Sequence, residues 1–206
     1  MHVLLINGSP HEKGCTYTAL SLVAGELNAA GITTEILNVG TKPVGGCIGC
    51  GGCAKGNGCV FGGVVNEAIE KARTADAFVF GTPVHYASAS GNMTSFLDRL
   101  AYAGGKYLAY KPAAICTSAR RAGTTSALDQ LVKYPEFFHM PLVSGSYWPM
   151  VHGSNPEQVL QDEEGCAVMK ELGRNMAWLL QCIEAGKAAG ISHPENPRRP
   201  MTTFIR

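Results

Sequence analysis

Val3-Leu4-Leu5-Ile6, followed at once by Asn7-Gly8-Ser9-Pro10-His11-Glu12-Lys13-Gly14-Cys15-Thr16, opens the chain and decides how the rest is read. Four consecutive apolar residues that stop before a glycine have no polar face. The run therefore reads as a strand buried on both sides, the habit of parallel sheets. The glycines and hydroxyls after it lead into a helix, because Leu20, Val23, Leu27 and Ala30 recur at helical spacing and Gly31 ends the pattern. The alternation continues outward. Further strands are expected at 33–39, 77–80, 113–116 and 141–147, and helices at 66–75, 93–103, 125–134 and 163–189. The last helix is expected to turn Val168, Leu172, Met176, Leu179 and Ile183 inward.

Five such βα units predict an α/β three-layer sandwich around a five-stranded parallel sheet. Right-handed crossovers leave few topologies, and five strands suit the flavodoxin-like order 2-1-3-4-5. Residues 1–190 read as one domain carrying a glycine- and cysteine-rich loop at 40–63. The tail 191–206, with Pro194, Pro197 and Pro200, is expected to run extended over the surface or to a neighbouring subunit.

Composition narrows the function. At 206 residues, 46% hydrophobic and 16% charged, the chain is neither a disordered segment nor a coiled coil. Seventeen basic against sixteen acidic residues leave a net charge of +1, so no global field draws in nucleic acid or an anionic membrane. No apolar run is long enough to span a bilayer, and His2–Ile6 is too short for a signal peptide. A cytoplasmic protein is expected. In that reducing compartment eight cysteines point to metal binding or redox chemistry rather than to a disulfide framework.

In an open α/β sheet, ligands bind outside the carboxyl ends of the strands, where the strand order reverses. Three loops stand there. Gly8–Thr16 offers flexible glycines, the hydroxyls of Ser9 and Thr16 and the free amides of a helix start, a combination that suits a phosphate. No Lys-Ser/Thr pair follows Gly14 and no G-x-G-x-x-G is present, so a monophosphate fits better than ATP or a Rossmann-type dinucleotide. Thr82-Pro83-Val84-His85-Tyr86-Ala87-Ser88-Ala89-Ser90-Gly91 joins small residues to a tyrosine able to stack on a flat ligand, or equally to pack on the surface. His85 has no assignable carboxylate partner and reads as a loop-facing histidine. Thr117-Ser118-Ala119-Arg120-Arg121-Ala122-Gly123-Thr124 sets two arginines beside glycine and hydroxyls, where one can meet an anionic ring or a phosphate and the other a subunit or solvent.

These three segments, in order and spacing over residues 1–185, resemble the NAD(P)H-dependent FMN reductase family. The resemblance rests on Gly8-Ser9-Pro10 with Gly14-Cys15-Thr16, where Cys15 stands in place of a common asparagine. It rests also on Pro83-Val84-His85-Tyr86 and on Ser90-Gly91 followed by Phe96-Leu97-Asp98-Arg99. It implies FMN, with Ser9, Cys15, Thr16 and Thr18 around the phosphate. Pro83, Val84, Tyr86 and Ala87 would lie against the isoalloxazine, with His85 in the same segment. Ser118 to Gly123, Arg120 included, would stand at the ring's edge. Asp98 and Arg99 are expected to anchor their helix, and no side chain is assigned a catalytic role.

Cys47-x2-Cys50-x2-Cys53-x5-Cys59, with glycines between, is the most unusual feature. Ferredoxin-type runs use nearly this spacing for a [4Fe–4S] cluster, whereas zinc sites more often hold two CxxC pairs well apart. The spacing also resembles the iron–sulfur flavoproteins, although Gly62-Gly63 stands where an acidic pair often follows the last cysteine. Two readings stand: a cluster, or a thiol group that is empty or redox-active. Cys15, Cys116, Cys166 and Cys182 read as buried small hydrophobes.

The expected function is an FMN-dependent oxidoreductase that takes electrons from NADH, NADPH or a ferredoxin. Its acceptor would be a quinone, an aromatic compound, a metal ion, free flavin or its own cluster. The alternative, a non-enzymatic flavin/iron–sulfur electron carrier, is disfavoured by the near-neutral charge, because long-chain flavodoxins are usually strongly acidic. A purely structural zinc module would leave all three loops unexplained. A homodimer or homotetramer is expected from the resemblance.

Overall fold

Alternation within an apolar strand assigns its residues to two layers. Val3 and Leu5 face one side of the sheet, while Leu4 and Ile6 face the other. The computed structural model, which describes residues 1–196 and 200–203, builds the sheet from this strand outward. Its strands are β1 (His2–Asn7), β2 (Thr33–Asn38), β3 (Ala77–His85), β4 (Ser88–Ala89), β5 (Ala113–Ala119) and β6 (Met150–His152). All neighbours along the path β2-β1-β3-β5-β6 are parallel, and the short β4 turns back antiparallel on β3. Without that arm, this is the expected order 2-1-3-4-5.

The helices are α1 (Cys15–Ala29), α2 (Val64–Thr74), α3 (Gly91–Gly104), α4 (Thr124–Phe137), α5 (Pro156–Val159) and α6 (Glu163–Ala188). On one face Leu4, Ile6, Phe78 and Phe80 pack with Ile69 of α2, Phe96 and Leu100 of α3 and Leu131 of α4. On the other, Val3, Leu5, Val79 and Cys116 pack with Leu20, Val23 and Leu27 of α1 and with Leu172 and Met176 of α6. Each large side chain so buried contributes about 1.5–3 kcal/mol. Gly173 lets α6 approach α1, since a Cβ there would stand 2.7 Å from the Val23 carbonyl oxygen.

Several expectations are corrected. The edge strand is β6 at 150–152, not 141–147, where only Leu142 makes a single bridge to Ala113. The reason lies in a distant partner: the Ser146 N–H and O–H both go to the Glu171 carboxylate of α6, at 2.9 and 2.6 Å, and draw this segment away from the sheet. The inner stripe of α6 runs through Leu172, Met176 and Leu180, with Leu179 and Ile183 only half-buried. Among the scattered cysteines, Cys116 is buried as expected and burial pushes its thiol up to about 12. Cys182 is exposed, and Cys15 and Cys166 are half-buried. The tail meets its own chain, the His193 ring stacking on Tyr110 at 4.3 Å, while positions 197–199 and 204–206 lie outside the described residues. Among the described residues no helix is long and apolar enough to cross a membrane.

The β3–β4 hairpin closes through Tyr86 and Ala87, whose φ angles are +49° and +58°. A two-residue turn with both φ values positive is normally made by Asn-Gly, and non-glycine residues adopt it at a cost. Gln130 of α4 holds it in place: its Oε1 accepts the Ala89 N–H at 2.8 Å and its Nε2 donates to the Ser88 hydroxyl at 3.1 Å. Replacing Ala87 by glycine is expected to relieve strain and raise stability by about 1 kcal/mol, read as a higher denaturant midpoint. Gly40 is constrained in the opposite sense, since a Cβ there would lie 2.3 Å from the Ser9 carbonyl oxygen. Gly40→Ala is expected to cost about 2–3 kcal/mol in the same measurement, because backbone must move to admit the methyl group.

Candidate functional site

The carboxyl ends of β1, β3 and β5 bring the three loops together. Asn7, fully buried at the end of β1, organises the first: its Oδ1 accepts the Ser9 N–H at 3.1 Å, and its Nδ2 donates to the Glu12 carbonyl and to Asn38. The Ser9 hydroxyl in turn accepts the His11 N–H at 3.1 Å. Ser90 joins the first loop to the second, its hydroxyl donating to the Gly8 carbonyl at 2.9 Å and accepting the Met93 N–H that starts α3. A 2.8 Å hydrogen bond between the buried hydroxyls of Thr16 and Ser118 ties the first loop to the third.

A groove of about 300 Å³ lies over this junction. Ser9, Cys15 and Thr16 line it from the first loop, Pro83, Val84 and His85 from the second, and Ser118 and Arg120 from the third. Four expected residues do not line it. Thr18 spends its hydroxyl inside the helix, donating to the Gly14 carbonyl at 3.2 Å. Tyr86 is fully exposed at the hairpin tip, with Ala87 beside it. Gly123 (φ +97°) lies under that tip, where a Cβ would stand 2.6 Å from the Ala87 Cα. The groove also takes Gly153 and Ser154 from the loop after β6, residues that sequence reasoning missed because their strand was expected elsewhere.

The electrostatics suit an anion. α1 starts at Gly14 with no side-chain cap and no acidic residue in its first turn, leaving its amides and dipole open to the groove. α3 and α4 also begin without an acidic residue, whereas α2, α5 and α6 begin with Glu67, with Glu157 and with Glu163 and Glu164. Burial raises the Cys15 thiol above its ordinary range; a backbone hydrogen bond opposes this and Glu157 adds to it. The thiol is therefore neutral near pH 7. It donates to the Gly153 carbonyl at 3.5 Å and brings no negative charge against a phosphate. Uncapped amides, the hydroxyls of Ser9, Thr16 and Ser118, and Arg120 form a donor set that fits a phosphate monoester. The shallow rim of Pro83 and Val84 suits the edge of a flat ring. A larger cavity of about 540 Å³, between α4 and residues 142–149, is mostly apolar and belongs to the bulged sheet edge rather than to the loops that carry the chemistry.

The cysteine loop forms a second centre. Cys47, Cys50, Cys53 and Cys59 all line one cavity of about 230 Å³, together with Phe61, Arg99 and Tyr102. All four thiols are free. Among the described residues no three histidine, cysteine or acidic side chains converge closely enough to hold a single metal ion. A sulfide-bridged core holds its thiolates further apart than one ion does. Four soft donors around a shared cavity therefore fit such a core in kind.

The loop itself is held from outside. Asn66 of α2 accepts the Cys59 N–H at 2.8 Å and donates to its carbonyl at 3.0 Å. Asn92 of α3 donates to the Gly40 and Lys42 carbonyls and accepts the Val44 N–H. Arg99 reaches in further along α3, whereas Asp98 turns away to accept the Tyr134 O–H at 2.6 Å. Neither asparagine carries a sequence signal beyond its position near a helix start.

The family model described as NADPH-dependent FMN reductase matches residues 1–155. An iron–sulfur flavoprotein of Methanocaldococcus jannaschii is 26% identical over 192 residues, covering 89% of this chain and 100% of that protein. One from Archaeoglobus fulgidus is 30% identical over 175 residues, covering 83% and 86%. A solved NADH:FMN oxidoreductase superposes with a TM-score of 0.61 at 20% identity, over 88% of this chain and 89% of the other. A flavodoxin, the WrbA-like protein of Agrobacterium tumefaciens, does so with 0.62 at 16% identity, over 88% and 97%. These two likenesses establish the fold. With three loops in the expected register and three quarters of its length matched, the chain belongs to the NADPH-dependent FMN reductase family.

Proposed function

We propose that this protein is an FMN-dependent oxidoreductase that draws electrons from NAD(P)H or a ferredoxin. It would pass them to a quinone, aromatic or metal acceptor, with a [4Fe–4S] cluster in the cysteine loop as an internal relay. The observation that carries the reading is the uncapped start of α1, with the buried hydroxyls of Ser9, Thr16 and Ser118 beside it at the carboxyl ends of the sheet. Bound FMN supplies hydride and one-electron transfer at its ring.

The chain's own residues bind and orient. Amides at the start of α1 and the Ser9 and Thr16 hydroxyls would hold the phosphate. Pro83, Val84 and the Tyr86–Ala87 tip would bound the ring, leaving one side open to co-substrate, and Arg120 would offset negative charge at the groove mouth. Cys47, Cys50, Cys53 and Cys59 would ligate the cluster. Their loop carries Lys42 and Lys55 and no carboxylate, which favours an anionic group. A homodimer or homotetramer is part of the proposal: Phe61 and Tyr102, apolar and exposed at the cysteine cavity, are surface that a second copy would cover.

Anaerobic purification is expected to yield a yellow protein that releases FMN on denaturation and whose flavin bleaches with NADH, NADPH or reduced ferredoxin. Colourless protein that refuses added FMN refutes the reading. Cys15→Glu, at a half-buried position, sets a carboxylate beside the α1 amides and is expected to weaken FMN binding at least 100-fold, about 2.7 kcal/mol by titration, while the fold stays intact by circular dichroism.

A further inference from the structure

Arg99 is 7% exposed, an uncommon place for a guanidinium, and its neighbours explain why it stays there. Its Nε–H donates to the Cys59 Sγ at 3.2 Å, one terminal nitrogen to the Gly45 carbonyl at 3.3 Å, and the other to the Gly62 carbonyl at 3.0 Å. Gly45 precedes the first cysteine of the loop and Gly62 follows the last. One side chain on a rigid helix thus fastens both ends of the segment that carries all four thiols, with the Phe61 ring 5.7 Å from its carbon centre. Among the described residues no carboxylate lies within ion-pair distance of Arg99, and its neighbour Asp98 is engaged by Tyr134. A buried cation without a carboxylate partner is costly unless some other negative group faces it. The cavity it faces is lined by sulfur donors.

From this we infer that Arg99 is the positioning residue of the cysteine centre. It closes the loop around an anionic, thiolate-ligated iron–sulfur core, and its charge sets the reduction potential of that core. The inference rests on the cluster reading above. Adding one electron to such a core makes it one charge more negative. A guanidinium donating to a ligating sulfur therefore favours the reduced state and raises the potential. Three donors in a fixed fork also make arginine hard to replace by lysine in the loop-closing part of the role.

The test uses full-length wild type, Arg99→Gln and Arg99→Lys, each reconstituted anaerobically with ferrous iron and sulfide. Iron, sulfide and FMN per chain are measured and the cluster's midpoint potential is titrated. Arg99→Gln is expected to keep wild-type FMN, to hold less than about half the iron, and to titrate at a more negative potential. Arg99→Lys is expected to recover the potential more fully than the iron. Wild-type potential in Arg99→Gln overturns the inference, whatever its iron content. Should Arg99→Gln hold too little cluster to titrate, Arg99→Lys decides: a cluster restored near the wild-type potential supports the assignment, and none restored overturns it. FMN content and the thermal midpoint separate these outcomes from misfolding. Wild type that binds FMN yet takes up no iron removes the cluster reading and this inference together, whereas loaded wild type with identical variants removes this inference alone.

Discussion

β1 and β3 lie side by side in parallel from Val3 opposite Ala77 to Asn7 opposite Gly81, and every functional loop takes its position from that pairing. The last bond of the series runs from the Gly8 N–H to the Gly81 carbonyl at 2.8 Å, one residue beyond the end of β1. The two chains separate there, one entering α1 and the other running on to the hairpin. A one-residue slip would turn Leu4, Ile6, Phe78 and Phe80 from one layer to the other, so burial on both faces holds the register. The groove inherits that rigidity. Its polar groups sit on the ends of strands and on the first turns of helices, which the core beneath holds in place.

Helix α3 links the groove to the cysteine centre. Ser90, at its start, bonds the backbone of the first loop; Asn92, two residues on, holds the approach to the cysteines; Arg99 grips the cysteine loop itself. At 1.5 Å per residue the span from Ser90 to Arg99 is about 14 Å. A single rigid element thereby sets the relation between two centres whose loops have little regular structure of their own. The cost of ordering the glycine-rich loop is met in this way by side chains of α2 and α3 together with short turns inside the loop.

Charge is arranged with similar economy. The molecule as a whole is close to neutral, yet α1, α3 and α4 start without acid while α2, α5 and α6 start with it. Carboxylates are absent from the cysteine loop as well. Local amides, hydroxyls and a few cations thus favour negative groups at the groove and at the cysteine loop without a global positive field.

Much of this was legible in the chain. Apolar runs such as Val3–Ile6 and Ala77–Phe80, short and closed by turn residues, read as doubly covered strands, so the parallel sheet and the three ligand-end loops followed from local pattern and the strand order from right-handed crossovers. The four clustered cysteines announced a second centre by spacing alone. Other features depended on partners distant in sequence. The edge strand moved to 150–152 because Glu171 captures Ser146, and the α6 stripe settled on Leu180 through packing against α1. Thr16 met Ser118, and Gln130 pinned a strained Tyr86–Ala87 turn, through contacts of the same kind. Arg99 read as a helix anchor, and its grip on Cys59 emerged only with the fold. Patterns local to a few residues determine which elements form, because backbone hydrogen bonding and burial act over one or two turns. Which polar side chains meet is decided by the packing of elements far apart in the chain, and no local pattern encodes that.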